Sequence, residues 1–291
     1  MTPYRQALDV VHTALHGLHA QGVEVCASRE ALERLRSTEE TKTTGATEKT
    51  APAPAPRFQM PAAKPAPVSV PVVPSVPSIA IPTTGTKAER LAALSTPVLA
   101  CTLCPHLVKS RTQVVFGVGN PEAEVMFIGE APGEDEDLQG EPFVGKAGQL
   151  LTKIIVAMGF AREEVYIANV LKCRPDMPPG ITGNRKPKPA EMQTCLPYLR
   201  AQIEIIQPRV LVALGATAME GLLGETSPMA RLRGRWHEFA GIPLMATYHP
   251  AYLLRNQSLG EKRKVWEDML LVLKRLEKPI SDKQRGFFLQ R

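Results

Sequence analysis

Val125-Met-Phe-Ile-Gly-Glu130 is an apolar run of strand length that stops on a glycine and a carboxylate, and three further runs of that kind follow: Val165–Ala168, Val210–Leu214 and Leu244–Tyr248. Between them, apolar residues return at helical spacing. Leu150, Leu151, Ile154, Ile155 and Met158 form one stripe, Met192, Leu196, Leu199, Ile203 and Ile206 a second, and Val265, Met269, Val272 and Leu276 a third. Near-continuous apolar strands alternating with amphipathic helices predict an α/β fold, a parallel four-stranded sheet between helices in an αβα sandwich. Arg235–Phe239 is a further strand candidate, with an edge hairpin as its alternative.

In a parallel sheet every strand's carboxyl end lies along one edge, and ligands bind in the crevice there. The residues that leave the four runs are Gly129-Glu130, Asn169, Gly215 and His249-Pro250, so three exits carry polar side chains toward one place. Taken singly, Glu130 reads as solvated, Asn169 as a turn former and His249 as a helix cap. Together they read as a site.

Upstream of the first run the composition changes. Residues 51–82 hold 10 of the 27 prolines, mixed with Ala, Val and Ser, a composition that builds neither helix nor core. Residues 37–86 are therefore expected to be a linker, residues 1–36 a short helical segment (Leu8, Val11, Leu15 and Leu18, then Glu30–Leu35), residues 87–280 the folded domain and residues 281–291 a tail. Lys and Arg number 35 against 29 Asp and Glu, and from residue 87 onward 27 against 22. That excess is compatible with a polyanionic partner without demanding one. The absence of a membrane-length apolar stretch and of a signal peptide's start predicts a cytoplasmic protein with no membrane partner. A monomer is expected.

Cys101 and Cys104 form a C-x-x-C pair ahead of the first strand. Cys173 follows the second strand and Cys195 sits on the next helix. Four thiolates can close around zinc or hold an iron–sulfur cube, and the spacing leaves the metal open. Unligated buried thiols are the plain alternative, and Cys26 is read as a packing residue. Gly140-Glu-Pro-Phe-Val-Gly-Lys146 fits the frame of a phosphate-binding loop. Ala147 follows where the magnesium-binding hydroxyl should be, and Glu134–Asp137 would repel a triphosphate, so an NTPase is the weaker alternative. A non-catalytic, metal-stabilised DNA-binding module is the other.

Gly129-Glu-Ala-Pro-Gly-Glu-Asp-Glu-Asp137 with Gly140–Gly148, Asn169-Val-Leu-Lys-Cys-Arg-Pro175 with Gly183-Asn-Arg-Lys-Pro187, and His249-Pro-Ala-Tyr-Leu-Leu-Arg255 resemble the motifs of family-four uracil-DNA glycosylases. The resemblance runs from about Ala88 to Leu276. It implies a uracil-DNA glycosylase-like fold, hydrolysis of the N-glycosidic bond of deoxyuridine in single- or double-stranded DNA, and a [4Fe–4S] cluster on Cys101, Cys104, Cys173 and Cys195. It further implies catalytic roles for Glu130, Glu136 and His249, with either glutamate positioning water, and uracil binding by Ala131, Phe143 and Asn169. Glu136 would also crowd the C5 position against thymine. Leu253 would fill the gap left by the extruded nucleotide, with core packing as its alternative, and Arg255 would hold the DNA backbone. One departure stands out: Cys173 and Cys195 enclose 21 residues, with Asp176–Thr182 resembling an insertion. Asp176–Pro189 contains no histidine, so the covalent trapping of uracil known in a related clade is not expected.

Overall fold

A computed structural model describes residues 79–178 and 180–289. The segment read as helical at residues 1–36 and most of the expected linker lie outside the described residues. Helix α1 (Lys87–Leu99) starts on a Thr86 cap, whose hydroxyl accepts from Glu89 N while the Glu89 carboxylate accepts from Thr86 N. Just before it, Ile79 and Ile81 pack on the core, and Arg90 Nε donates to Pro82 O at 2.6 Å. The last residues of the stretch read as linker are thus part of the folded unit.

The sheet has six strands in the order β1-β3-β2-β4-β6-β5, not the four expected. β2 (Val125–Gly129), β3 (Tyr166–Asn169), β4 (Val210–Leu214) and β6 (Ile242–Thr247) pair in parallel, as their apolar runs predict. The two extra strands are antiparallel edges. β1 (Val118–Gly119) is only two residues long, too short to leave a period in the sequence. β5 (Trp236–Phe239) returns on β6 through Ala240-Gly241, both at positive φ (52° and 77°), the signature of a tight type I′ hairpin.

The pleat sends alternate side chains to opposite faces, and two apolar cores result. Met126, Ile128, Leu211 and Ala213 face α1 and α5 (Pro189–Ile206) with Leu94, Val98, Leu199 and Ile203. Val125, Phe127, Val210 and Val212 face the other way, onto Leu151 and Ile155 of α4 (Lys146–Met158) and Met269 and Val272 of α9 (Leu259–Arg275). Shorter helices complete the layers: α2 (Pro105–Ser110), α3 (Glu134–Gln139), α6 (Ala216–Leu223), α7 (Met229–Leu232) and α8 (Pro250–Arg255). The stretch read as a C-terminal tail is docked: α10 (Asp282–Arg285) accepts from Trp266 Nε1 at Gln284 O, and the Phe287 ring meets Trp266 edge-on at 5.1 Å. Among the described residues no helix is long and apolar enough to cross a membrane.

Candidate active site

The carboxyl edge of the sheet opens into a cavity of about 330 Å³, at the small end for a ligand site. Glu130 and Ala131 after β2, Asn169 at the end of β3 and His249 after β6 all line it, with Phe143, Glu136 and Arg255. The register sets Gly129 directly beside Asn169. A Cβ on Gly129 would lie 2.4 Å from Asn169 Oδ1 and 2.5 Å from the Phe143 ring, so only glycine lets the amide and the ring close on one another. Asn169 is 2% exposed, and its Oδ1 has no hydrogen-bond partner. A buried carbonyl left bare costs about 1–3 kcal/mol, which a ligand N–H at this spot would relieve.

Phe143 is buried at φ +57°, a conformation that costs a bulky residue of order 1–3 kcal/mol. Arg162 holds it there by donating to Pro142 O (2.7 Å) and Phe143 O (3.1 Å). Gly148 makes room below, since a Cβ would fall 1.7 Å from Phe143 O. The ring lies 5.6 Å from the His249 imidazole, centroid to centroid.

Glu136 is the anchor of the loop between α3 and α4. Its Oε1 accepts from Val144 N and Gly145 N, and its Oε2 from Gly133 N, each at 3.0 Å. The amides that a phosphate-binding loop would offer to a nucleotide are taken by the chain's own carboxylate, which is why the Gly140–Lys146 frame is no phosphate loop. Glu130 has the freer carboxylate. Burial raises its pKa above the ordinary range, and the Thr217 hydroxyl and Lys186 pull it back only in part.

His249 caps α8. Its Nδ1 accepts from Ala251 N at 3.1 Å, so the neutral ring carries its proton on Nε2. Burial, helped by the nearby Arg255 charge, lowers its pKa to about 4. The imidazole is therefore a neutral donor at physiological pH. Leu253, expected at the DNA surface, is 4% exposed on the inner side of α8, and Leu254 beside it is 38% exposed. That burial agrees with the core-packing alternative. Arg255 is exposed and makes no ion pair among the described residues.

The four cysteines gather from separate elements. Cys101 and Cys104 bracket the turn between α1 and α2, Cys173 follows β3, and Cys195 lies in the second turn of α5. Arg111 ties two of these segments together, donating from Nη1 to Cys173 Sγ (3.0 Å) and from Nη2 to Cys101 O (2.7 Å). Lys172 N points at Cys195 Sγ (3.3 Å), and the buried Lys172 Nζ donates to Gln202 Oε1 (2.5 Å). Burial first, then the neighbouring thiols, pushes the Cys104 pKa up to about 11. Burial likewise lifts Cys195 to about 12, against the pull of Lys172. Such thiols ionise at neutral pH only when a metal takes them. Four such thiols drawn from three segments of chain fit a metal centre.

Residue order alone did not single out Asn184 and Arg185, which line the cavity from the loop before α5, nor Arg111 and Thr217. Gly183–Pro187 carried the only signal, as a motif without a stated role.

Residues 116–270 match the model of the uracil DNA glycosylase superfamily. The chain is 46% identical over 187 residues to the type-4 uracil-DNA glycosylase of Thermotoga maritima, covering 63% of this chain and 93% of that protein. It is 42% identical over 182 residues to the type-4 protein of Archaeoglobus fulgidus (60% and 88%). The type-5 uracil-DNA glycosylase of Thermus thermophilus is more distant, at 28% over 218 residues (61% and 94%).

Proposed function

The chain belongs to the uracil DNA glycosylase superfamily and within it to family four, and on that premise we propose that it hydrolyses the bond between uracil and deoxyribose in DNA, leaving an abasic site for base-excision repair. The observation that carries this function to a particular pocket is the bare Asn169 Oδ1 at the sheet's carboxyl edge. Uracil offers N3–H and O4 side by side. Asn169 accepts the first at Oδ1 and donates to the second from Nδ2, a pattern that cytosine presents in reverse. Phe143 stacks on the base. The base cannot be reached within a stacked duplex, so the nucleotide is extruded first, and Arg255 holds a phosphate. Leu254, the exposed leucine of α8, is better placed than Leu253 to fill the gap.

Cleavage sends the C1′–N1 electron pair onto uracil and leaves positive charge on the sugar. His249 donates from Nε2 to O2 as that oxygen becomes anionic, beside the Ala131 backbone. Water adds to C1′. Between the two glutamates, Glu130 takes the role of orienting that water and receiving its proton, because its pKa is raised and Glu136 is already committed to three amides. The pinned Glu136 forms a rigid wall, which suits it to exclude the C5 methyl of thymine.

Cys101, Cys104, Cys173 and Cys195 would hold a [4Fe–4S] cluster. The Arg111 and Lys172 donors support this, since N–H groups aimed at cysteine sulfur are the usual surroundings of such a centre. Hydrolysis transfers no electrons, so the cluster supplies a covalent tie among three segments of chain. Protein purified without oxygen is expected to be brown and to carry about four irons. Cys173→Ala is expected to lose both colour and yield. A colourless protein with one zinc would refute the assignment. The function itself is tested with uracil-containing single- and double-stranded oligonucleotides and alkaline cleavage of abasic sites. Strand breaks at uracil are expected, and intact strands at saturating enzyme would refute it.

A further inference from the structure

Asp268 of α9 is fully buried and lies outside the cavity that takes the base. Burial raises its pKa to about 6, and the Thr247 hydroxyl and Arg233 pull against that, so at neutral pH it is a carboxylate. Both of its oxygens are taken. Arg233 donates to Oδ1 from Nη2 (2.7 Å) and to Oδ2 from Nε (3.1 Å), and Thr247 Oγ1 donates to Oδ2 at 2.7 Å. Arg233 Nη2 also donates to Lys264 O, one turn back along α9. A buried ion pair adds little stability over apolar residues of the same volume. What its directed bonds supply here is geometry at the end of β6.

Thr247 is the last residue of β6, two before His249. Its carbonyl accepts from Gly215 N (2.8 Å) at the exit of β4, where a Cβ would lie 3.0 Å from His249 Cβ. Tyr248, between Thr247 and His249, sets its ring 5.9 Å from the Arg233 guanidinium and stacks on Tyr252 of α8 at 4.6 Å. Tyr252 Oη donates in turn to Glu261 Oε2 (3.2 Å) in the first turn of α9. The His249 ring has one hydrogen bond among the described residues, accepted at Nδ1 from Ala251 N of the same short helix. The ring is therefore as fixed as the β6 exit and α8 are. Both are tied to α9, the exit through Asp268 and α8 through Glu261.

We propose that Arg233 and Asp268 are positioning residues for excision: they fix the exit of β6 through Thr247 and Tyr248, and so set where His249 Nε2 meets uracil O2. This rests on the uracil-excising function and the His249 role assigned above. A reacting group misplaced by about 1 Å costs up to about 10²-fold in rate. Contacts to the rest of the DNA are untouched, so the loss falls on the chemical step and passes through His249.

The test is a double-mutant cycle in the full-length protein. R233K, which keeps the charge without the planar fork, and T247V, which exchanges the hydroxyl for a methyl, are each made alone and on H249A. Saturating single-turnover rates on uracil DNA are measured beside affinity for an oligonucleotide carrying non-hydrolysable 2′-fluoro-deoxyuridine. The His249 ring nitrogens are followed by NMR, assigned as the signals lost in H249A. R233K and T247V are each expected to slow the chemical step about tenfold and to leave affinity within about threefold. Both should shift the His249 ring signals, and T247S should restore rate and signals together. On H249A neither substitution should cost more than about twofold further. Losses that multiply with that of H249A, or R233K with a wild-type rate and unshifted ring signals, would overturn the proposal. So would an R233K protein that binds DNA weakly at an unchanged saturating rate, because Arg233 would then be a phosphate contact. Wild-type protein that leaves uracil in place would sink the assigned activity, and the ring signals of R233K and T247V would still decide whether this network holds His249.

Discussion

Asn169→Asp is expected to slow single-turnover uracil excision by about 10²–10³-fold at neutral pH. The wild-type amide presents an acceptor and a donor to uracil, and the position is 2% exposed with its Oδ1 bare. An ionised aspartate sets two acceptors against N3–H and O4. One hydrogen bond is lost and a repulsive pair is left in a site without water to relieve it, a loss of about 3–4 kcal/mol. The sign of the pH dependence separates this from a folding defect. A protonated aspartic acid again offers one donor and one acceptor, so the variant's rate relative to wild type should rise as pH falls. The ionised form accepts from cytosine N4–H, and the ratio of cytosine to uracil excision should increase. If Asn169 were only a turn former, aspartate would serve equally well there. A variant that excises uracil at the wild-type rate would remove Asn169 from the pocket.

His249→Ala is expected to lower the chemical step by about 10²–10³-fold while DNA affinity stays within a few-fold, because the Nε2 donor matters once charge develops on O2. Two pH effects accompany it. The wild-type ring, with its pKa lowered to about 4, stays neutral through the whole range near neutrality, so His249 should impose no acid limb on the rate until pH approaches 4. Stability behaves differently. The unfolded histidine takes up a proton near pH 6.5 and the folded one only near 4, so the unfolded state binds more protons between those values. Wild-type protein should lose up to about 3 kcal/mol across that window, at about 1.4 kcal/mol per pH unit. His249→Ala should lack this acid sensitivity. Thermal midpoints of the two proteins against pH would show the gap narrowing toward pH 4. Parallel curves would mean that the ring is solvated, and its donor role would fail with that.

The strand runs and helical stripes were legible because burial on both faces of a parallel sheet leaves a local, repeating mark on sequence. So were Glu130, Asn169 and His249, since a strand exit is a place along the chain and the parallel order sends all exits to one edge. β1 escaped because two residues carry no period, and the end of the chain looked like a tail because Trp266 and Gln284, which dock it, belong to different elements.

What the order of residues determined by itself is the layered α/β scaffold, the edge that holds the site, the candidate ligands and the family. The tertiary structure decided what each side chain is free to do. It consumed Glu136 on three amides and left Glu130 the raised pKa. It buried Leu253 and exposed Leu254. It spent the charge of Arg185 on Glu191 and Asp176 and left Arg255 without an ion pair among the described residues. Periodicity is set by neighbours three or four places along the chain. A carboxylate's remaining lone pairs or a guanidinium's remaining charge depend on partners from other elements, and only the packed fold brings those within about 3 Å.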